Sequence, residues 1–136
     1  MRVMVQEREQ LSRVLETIER LIETEPEADV VLRRAVDVLA GTVERYVYVD
    51  LSFVEAGELV RGPWRGKEPA DEAVGRSLAV PVIHDGSRVG ELRVATAPSH
   101  ALTEADERFL GRVAQRLSAH CLVGWDTGGV PWSEVE

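Results

Sequence analysis

The chain has 136 residues, a formal net charge of -8 and an apolar fraction of 44%, as expected for one globular domain. The acidic excess disfavours nucleic-acid binding, because that affinity comes from clustered Lys and Arg side chains that meet phosphates. No apolar run approaches the roughly 20 residues that span a bilayer, and the N-terminus lacks the apolar core of a signal peptide. We therefore expect a cytoplasmic protein without membrane contact.

Residues 4–23 carry apolar side chains at helical spacing, which predicts an amphipathic helix. The stripe contains Met4, Leu11, Val14, Leu15, Ile18, Leu21 and Ile22. Two interpretations are open: the stripe packs on the sheet of its own chain, or it pairs with a second copy as a short coiled coil. In the second interpretation, the homodimer interface contains Leu11, Leu15, Ile18 and Ile22.

A second helix is predicted to begin at the segment Thr24-Glu25-Pro26-Glu27. Threonine can cap a helix, proline is tolerated in its first turn, and acidic residues favour its positive end. The helix should end near Gly41, which can take the left-handed conformation common at helix ends.

Residues 46–54 alternate with the period of two that is typical of a strand. The alternation predicts Val47, Val49, Leu51 and Phe53 on one face, and Tyr46, Tyr48, Asp50 and Ser52 on the other. A turn at 55–58 should lead into a shorter strand over 59–61, because Gly62-Pro63 is expected to break it.

The next predicted feature is a hairpin, with strands over 77–82 and 89–95. The Asp85-Gly86 pair between them favours a type I′ turn. If Val82 lies opposite Val89, then Leu78, Val80, Glu91 and Arg93 share one face. Ala79, Pro81, Gly90 and Leu92 then share the face assigned to the core.

The last helix is predicted to begin at Thr103, with Asp106 answering its cap three residues later. Its buried face should carry Phe109, Val113, Leu117 and Cys121 at successive steps of four. The glycine-rich segment after it indicates a flexible tail over 124–136, following a single domain over 1–123.

The second half of the chain resembles a GAF domain in the order and spacing of its motifs. The motifs are Val80-Pro81-Val82-Ile83, Asp85-Gly86, Val89-Gly90-Glu91-Leu92-Arg93-Val94 and Leu102-Thr103-Glu104-Ala105-Asp106. The resemblance implies an α+β fold, in which an antiparallel sheet has the N- and C-terminal helices packed on one face. It also implies a signalling role, a homodimer formed by the terminal helices, and small-molecule binding on the other face.

The segment Gly62-Pro63-Trp64-Arg65-Gly66-Lys67 is similar to one in the free methionine-R-sulfoxide reductases, which are GAF-fold enzymes. Those enzymes act through cysteine thiols between the second and third strands and carry acids on the last strand. Here residues 64–76 contain no cysteine, and Arg93 and Ala95 occupy the last-strand positions. Cys121 lies on an apolar helix face and is predicted to be an inert core residue.

The resulting hypothesis is a non-enzymatic sensory or interaction domain that binds either a small ligand or a protein partner and has no cofactor. No metal site is expected either, since one cysteine and three scattered histidines match no zinc spacing. A degenerate relative of the reductases and a purely structural dimerisation module are the alternatives. The candidate ligand residues are Tyr48, Asp50, Ser52, Trp64, Arg65, Leu78, Val80, Glu91 and Arg93. The competing interpretation of this face is a half-covered sheet, on which Asp50 and Arg93 form only an exposed ion pair.

Overall fold

The computed structural model describes residues 2–67, 77–97 and 101–124, with side chains from residue 7 to residue 121. Its helices are α1 (Arg2–Thr24), α2 (Ala28–Thr42) and α3 (Glu104–Gly124). Its strands are β1 (Tyr46–Glu55), β2 (Glu58–Gly66), β3 (Ser77–His84) and β4 (Ser87–Thr96). The predicted tail, apart from Gly124, and the side chain of Met4 lie outside the described residues.

The strands form one antiparallel sheet in the order β2-β1-β4-β3. Helix α2 packs on β1 and β2, α3 packs on β3 and β4, and α1 packs across α2 and α3. The predicted α+β architecture, with helices on one face of an antiparallel sheet, is confirmed. None of the described helices is both long and apolar enough to cross a membrane.

The apolar stripe of α1 is largely used within its own chain. Leu11, Val14 and Ile18 are buried in the core, whereas Leu15 and Ile22 are half-buried at its margin. Core packing therefore accounts for Leu11 and Ile18, two of the four residues predicted to form a dimer interface.

The junction between α1 and α2 differs from the prediction. Thr24 ends α1 and donates its hydroxyl to the carbonyl oxygen of Arg20, 2.9 Å away, a local bond that competes with capping. The N-cap of α2 is Glu27, whose side chain makes no capping hydrogen bond with the described residues. Gly41 lies inside α2, and the chain leaves the helix through Val43 in an extended conformation instead of a left-handed one.

The first residues of β1 reverse the predicted faces. Tyr46 is 1% exposed and belongs to the hydrophobic core, whereas Val47 is 39% exposed. The reason is an irregularity in the pairing of β1 with β4 between Tyr46 and Tyr48, because an extra residue in one strand shifts the alternation. From Val49 onward the predicted pattern is confirmed, and Val49, Leu51 and Phe53 all lie in the core.

The turn between β3 and β4 matches the sequence prediction. Asp85 and Gly86 both have positive φ values, 51° and 78°, as a type I′ turn requires.

The predicted register of this hairpin is wrong by one residue. A bulge between Val82 and Ile83 places Val82 opposite Gly90, so the side chains on β3 exchange faces. Leu78, Val80 and Val82 therefore face the helices together with Leu92 and Val94. Ala79 and Pro81, assigned to the core from the sequence, pair with Arg93 and Glu91 on the face away from the helices.

Strand β2 continues past the predicted break at Gly62-Pro63 to Gly66. Within the described sheet it pairs only with β1, and proline is tolerated on such an edge strand or at a bulge. The pairing shifts between Asp50 and Ser52, so that Gly62 and Pro63 stand where one residue would face Leu51.

A buried polar cluster joins the start of α3 to the start of β1. Asp106 accepts hydrogen bonds from Arg45 and from the Tyr46 hydroxyl, each at 2.6 Å, and from the backbone N–H of Thr103 at 2.9 Å. Burial favours a raised pKa for Asp106, but the hydrogen bonds from Tyr46, Thr103 and Arg45 outweigh it and hold that pKa below its ordinary value. The predicted Thr103–Asp106 cap is confirmed, and it is part of a larger tertiary contact.

Candidate ligand-binding site on the open face

The face of the sheet turned away from the helices, here called the open face, carries a buried polar pair at its centre. Tyr48 and Asp50 are 1% and 3% exposed. The Tyr48 hydroxyl donates to Asp50 Oδ2 at 2.7 Å, and Arg93 on β4 donates to the same oxygen at 2.8 Å. The Arg93 guanidinium also lies 5.4 Å from the centre of the Tyr48 ring.

Two residues of β2 extend this cluster toward the sheet edge. Trp64 lies opposite Asp50, and Arg61 lies opposite Ser52. Arg61 donates to the Tyr48 hydroxyl at 3.2 Å and stacks over the Trp64 indole, 5.0 Å from the ring centre. The Trp64 Nε1 is buried and has no hydrogen-bond partner among the described residues. Buried N–H groups without a hydrogen-bond acceptor are uncommon in folded proteins.

Two guanidiniums converge on the Tyr48–Asp50 pair. Arg93 forms an ion pair with Asp50, and Arg61 donates to the Tyr48 hydroxyl. Burial raises the pKa of Tyr48, and the hydrogen bond to Asp50 adds to that effect. The Asp50 side chain is 4% exposed, so the Asp50–Arg93 contact is not the fully exposed ion pair of the competing interpretation.

Ser52 and Glu91 lie next to the cluster on the same face, directly opposite each other on β1 and β4. Glu91 forms an ion pair with Arg88. The Glu91 carboxylate is therefore paired with Arg88 and does not take part in the Asp50–Arg93 ion pair.

Three predicted ligand residues lie on the other side of the sheet. Arg65 faces the helices and forms an ion pair with Asp37 of α2. Leu78 and Val80 pack in or against the core. The bulge in β3 explains the misplacement of Leu78 and Val80. The predicted position of Arg65 is wrong because the predicted strand ends at residue 61, whereas β2 extends to Gly66.

Arg61 is the member of the cluster that sequence reasoning did not include. The alternation of β1 does not reveal it, because its position depends on the irregular pairing at Gly62-Pro63. Its closeness to Trp64 in sequence was visible, but this spacing alone does not show that both side chains share a face.

The described residues offer binding groups on this face and no thiol. Cys121, the only cysteine of the sequence, is buried in the core of α3, and burial raises its pKa to about 12. No group of three or more His, Cys, Asp or Glu residues in the described parts of the chain is placed to hold a metal ion.

The chain is similar to known proteins in structure. No protein-family model and no curated protein matches the sequence. A free methionine-R-sulfoxide reductase from Neisseria meningitidis, solved with its substrate, is 20% identical with a TM-score of 0.67, over 85% of this chain and 90% of that one. The GAF domain of a phosphoenolpyruvate-protein phosphotransferase from Coxiella burnetii is 17% identical with a TM-score of 0.71, over 90% and 99%.

A type II free methionine-R-sulfoxide reductase from Thermoplasma acidophilum is also similar, with 16% identity and a TM-score of 0.60 over 74% of this chain and 94% of that one. At such identities the likeness establishes the fold alone. The chain therefore has a GAF-like α+β fold, one that both GAF domains and reductases use.

Proposed function

We propose that this GAF-like chain is a non-enzymatic sensory domain that binds a small anionic molecule on its open face and works as a homodimer through its terminal helices. The observation that carries the proposal is the cluster of Tyr48, Asp50, Arg61, Trp64 and Arg93. Its centre is a buried Tyr48–Asp50 pair, and burying a carboxylate on the sheet face away from the helices costs free energy. The proposal keeps the cytoplasmic location expected from the sequence.

An anion is the ligand class that fits this chemistry. Arg61 and Arg93 supply planar donor groups, which match carboxylate and phosphate oxygens. The buried Trp64 N–H would gain a hydrogen bond from an acceptor on the ligand. The stacked Arg61–Trp64 pair also offers a flat surface for a planar group.

Ligand binding on the open face can affect the packing of the helices through the two central strands, β1 and β4. Asp50 and Arg93 face the ligand side, while their neighbours Val49 and Leu92 are buried in the core under the helices. A ligand that favours one arrangement of Arg93 would shift the packing only if its affinity differs between two states.

Relationship to the sulfoxide reductases is the second candidate, favoured by the structural likeness to those enzymes. Sulfoxide reduction by thiols needs an accessible thiolate. The single thiol, Cys121, is buried and has a raised pKa. A relative of this kind would therefore bind a small molecule without thiol-dependent turnover.

Native mass spectrometry of the purified protein tests the proposal first, because it reports subunit number and any retained small molecule together. A thermal-shift screen of carboxylates, phosphates and matched neutral compounds follows. Occupation at about 100 times the dissociation constant would stabilise the fold by about 2.7 kcal/mol. Free methionine sulfoxide belongs in the panel, with turnover measured beside binding.

Arg61→Ala is the test variant, because Arg61 is exposed and its loss leaves the Asp50–Arg93 bond in place. Arg65→Ala is the matched control, since Arg65 faces α2. We expect Arg61→Ala to weaken anion binding at least tenfold (about 1.4 kcal/mol) and Arg65→Ala to leave it unchanged. If no anion stabilises the protein, a purely structural dimerisation module is the better account. Thiol-dependent turnover would instead establish an enzyme.

A further inference from the structure

Helices α1 and α3 border a groove on the helical side of the protein, across the sheet from the open face. The groove holds about 200 Å³, and its apolar floor includes Leu11, Leu15 and Phe109. Leu11 and Phe109 are buried core residues, whereas Leu15 is half-buried. Packing within the chain therefore fixes the floor, and Leu15 still offers apolar surface to a ligand.

The charge of this groove differs from that of the whole chain. The sequence has a net charge of -8, yet among the described residues the charged side chains that line the groove are those of Arg8, Arg108 and Arg112. Arg8 and Arg112 form no ion pair with another described residue. Arg108 reaches Glu104 at 3.7 Å, but both side chains are mostly exposed, and such pairs contribute little. All three guanidiniums are therefore available to an anion.

These features together define a ligand class. A guanidinium matches the two oxygens of a carboxylate, and Ser12 of α1, which also lines the groove, supplies a hydroxyl donor. The apolar floor favours a ligand with an apolar body, because their contact removes apolar surface from water. A cavity of about 150 Å³ is enough to hold benzene, so about 200 Å³ accommodates one ring with a carboxylate.

We infer that this groove is a second ligand site, which binds a small carboxylate with an apolar body about the size of phenylacetate. The carboxylate lies among the arginines, and the ring lies on Leu15 and Phe109. The inference goes beyond the proposed function, since it requires neither the open-face cluster nor a second copy of the chain. An anionic membrane surface fits less well, because the net negative charge of the whole chain opposes its approach.

Three probes separate the two parts of this recognition. Phenylacetate carries both the ring and the charge, phenylacetamide carries only the ring, and acetate carries only the charge. Amide NMR spectra of the labelled protein locate each probe, because signals of residues 8–15 and 105–112 report the groove, whereas those of Tyr48, Asp50 and Trp64 report the open face. We expect phenylacetate to saturate the groove signals with a dissociation constant about tenfold lower than that of either other probe.

The test variant is Arg8→Ala with Arg112→Ala, which removes two exposed guanidiniums from the groove. Arg34→Ala is the matched control, because Arg34 is an exposed arginine of α2 outside the groove. Arg61→Ala removes a guanidinium of the open face and so reports on binding there. We expect the double variant to raise the dissociation constant for phenylacetate in the groove about tenfold, and Arg34→Ala and Arg61→Ala to leave it unchanged. Circular dichroism confirms that each variant is folded.

The outcomes distinguish this inference from the proposed function. Phenylacetate that shifts only open-face signals, with binding weakened by Arg61→Ala and not by the double variant, would support the proposed function and overturn the groove site. Saturation of the groove without any anion bound on the open face would support the groove site and count against the proposed function. Equal affinity for acetate and phenylacetate would show only a loose association of ions with arginines and overturn the inference. Absence of groove binding would also overturn it, and sedimentation equilibrium would then show whether a second copy covers the groove.

Discussion

Asp106→Ala should be among the most destabilising single substitutions on this chain. Asp106 is 1% exposed and is the shared acceptor for Arg45, Tyr46 and Thr103. The substitution removes one carboxylate and leaves a guanidinium that is only 11% exposed without its counter-charge. The start of α3 also loses the carboxylate that accepts a hydrogen bond from the Thr103 backbone N–H.

The expected cost follows from these contacts. Removing one partner of a buried ion pair costs about 3–5 kcal/mol, because the remaining charge stays uncompensated. Asp106→Asn keeps the shape and can still accept from Arg45, but it turns an amide toward donors. We expect it to cost about 1–3 kcal/mol, the penalty for an unsatisfied buried group.

Urea unfolding at equilibrium, followed by circular dichroism, measures these free energies of unfolding. Asp37→Ala is the matched control, since Asp37 also pairs with an arginine, Arg65, but its side chain is 34% exposed. The control should cost no more than about 1 kcal/mol. If Asp106→Ala proves as mild as Asp37→Ala, the buried cluster does not stabilise the fold in the way described.

Three further predictions concern other features. The folded-state pKa of Asp106 is lowered, so its contribution to stability is complete above the unfolded-state pKa of about 3.9 and is lost as the pH falls through the folded-state pKa. Urea unfolding of wild type and Asp106→Asn between about pH 2 and pH 7 should therefore show that their difference in unfolding free energy shrinks toward acid. Gly62→Ala should lower the unfolding free energy by about 1–3 kcal/mol, because a Cβ there would lie 2.2 Å from the Phe53 ring and 2.7 Å from a backbone oxygen, whereas Gly41→Ala, in a helix with nothing within 4 Å, should raise it by about 0.5–1 kcal/mol. Cys121 should react with a thiol reagent at least about a hundredfold more slowly in the native protein than in urea, since burial suppresses its thiolate; equal rates would show that the helix core is open to solvent.

Local chemistry was enough to predict the elements that depend on neighbouring residues. Asp85-Gly86 specifies its turn because both positions need positive φ, which this dipeptide tolerates. Thr103 and Asp106 similarly identify the start of α3, since both partners of the cap lie within one turn. The apolar face of α3 follows from spacing alone.

Register was not predictable in the same way. The bulge at Val82 and the irregular pairing at Gly62-Pro63 each move side chains between faces, yet neither leaves a mark in the alternation. They depend on how one strand meets its neighbour, which is a tertiary property. For this reason the alternation predicts Leu78 and Val80 on the wrong face and does not identify Arg61 as part of the site.

Polar contacts across the sheet were predicted only where two regular strands meet. Asp50 and Arg93 lie opposite each other on β1 and β4, as expected from the sequence. The Arg45–Tyr46–Asp106 cluster joins residues about sixty positions apart, and no local pattern points to it.

The candidate site draws on strands of unequal structural constraint. Asp50 and Arg93 come from β1 and β4, each flanked by strands on both sides, whereas Arg61 and Trp64 come from β2, which is hydrogen-bonded to β1 alone in the described sheet. Substitutions on such a border strand disturb fewer neighbours than those at the centre. Residues 61 and 64 can therefore change while the Asp50–Arg93 ion pair at the centre of the sheet stays in place. A library of variants confined to positions 61 and 64 should consist mostly of folded proteins.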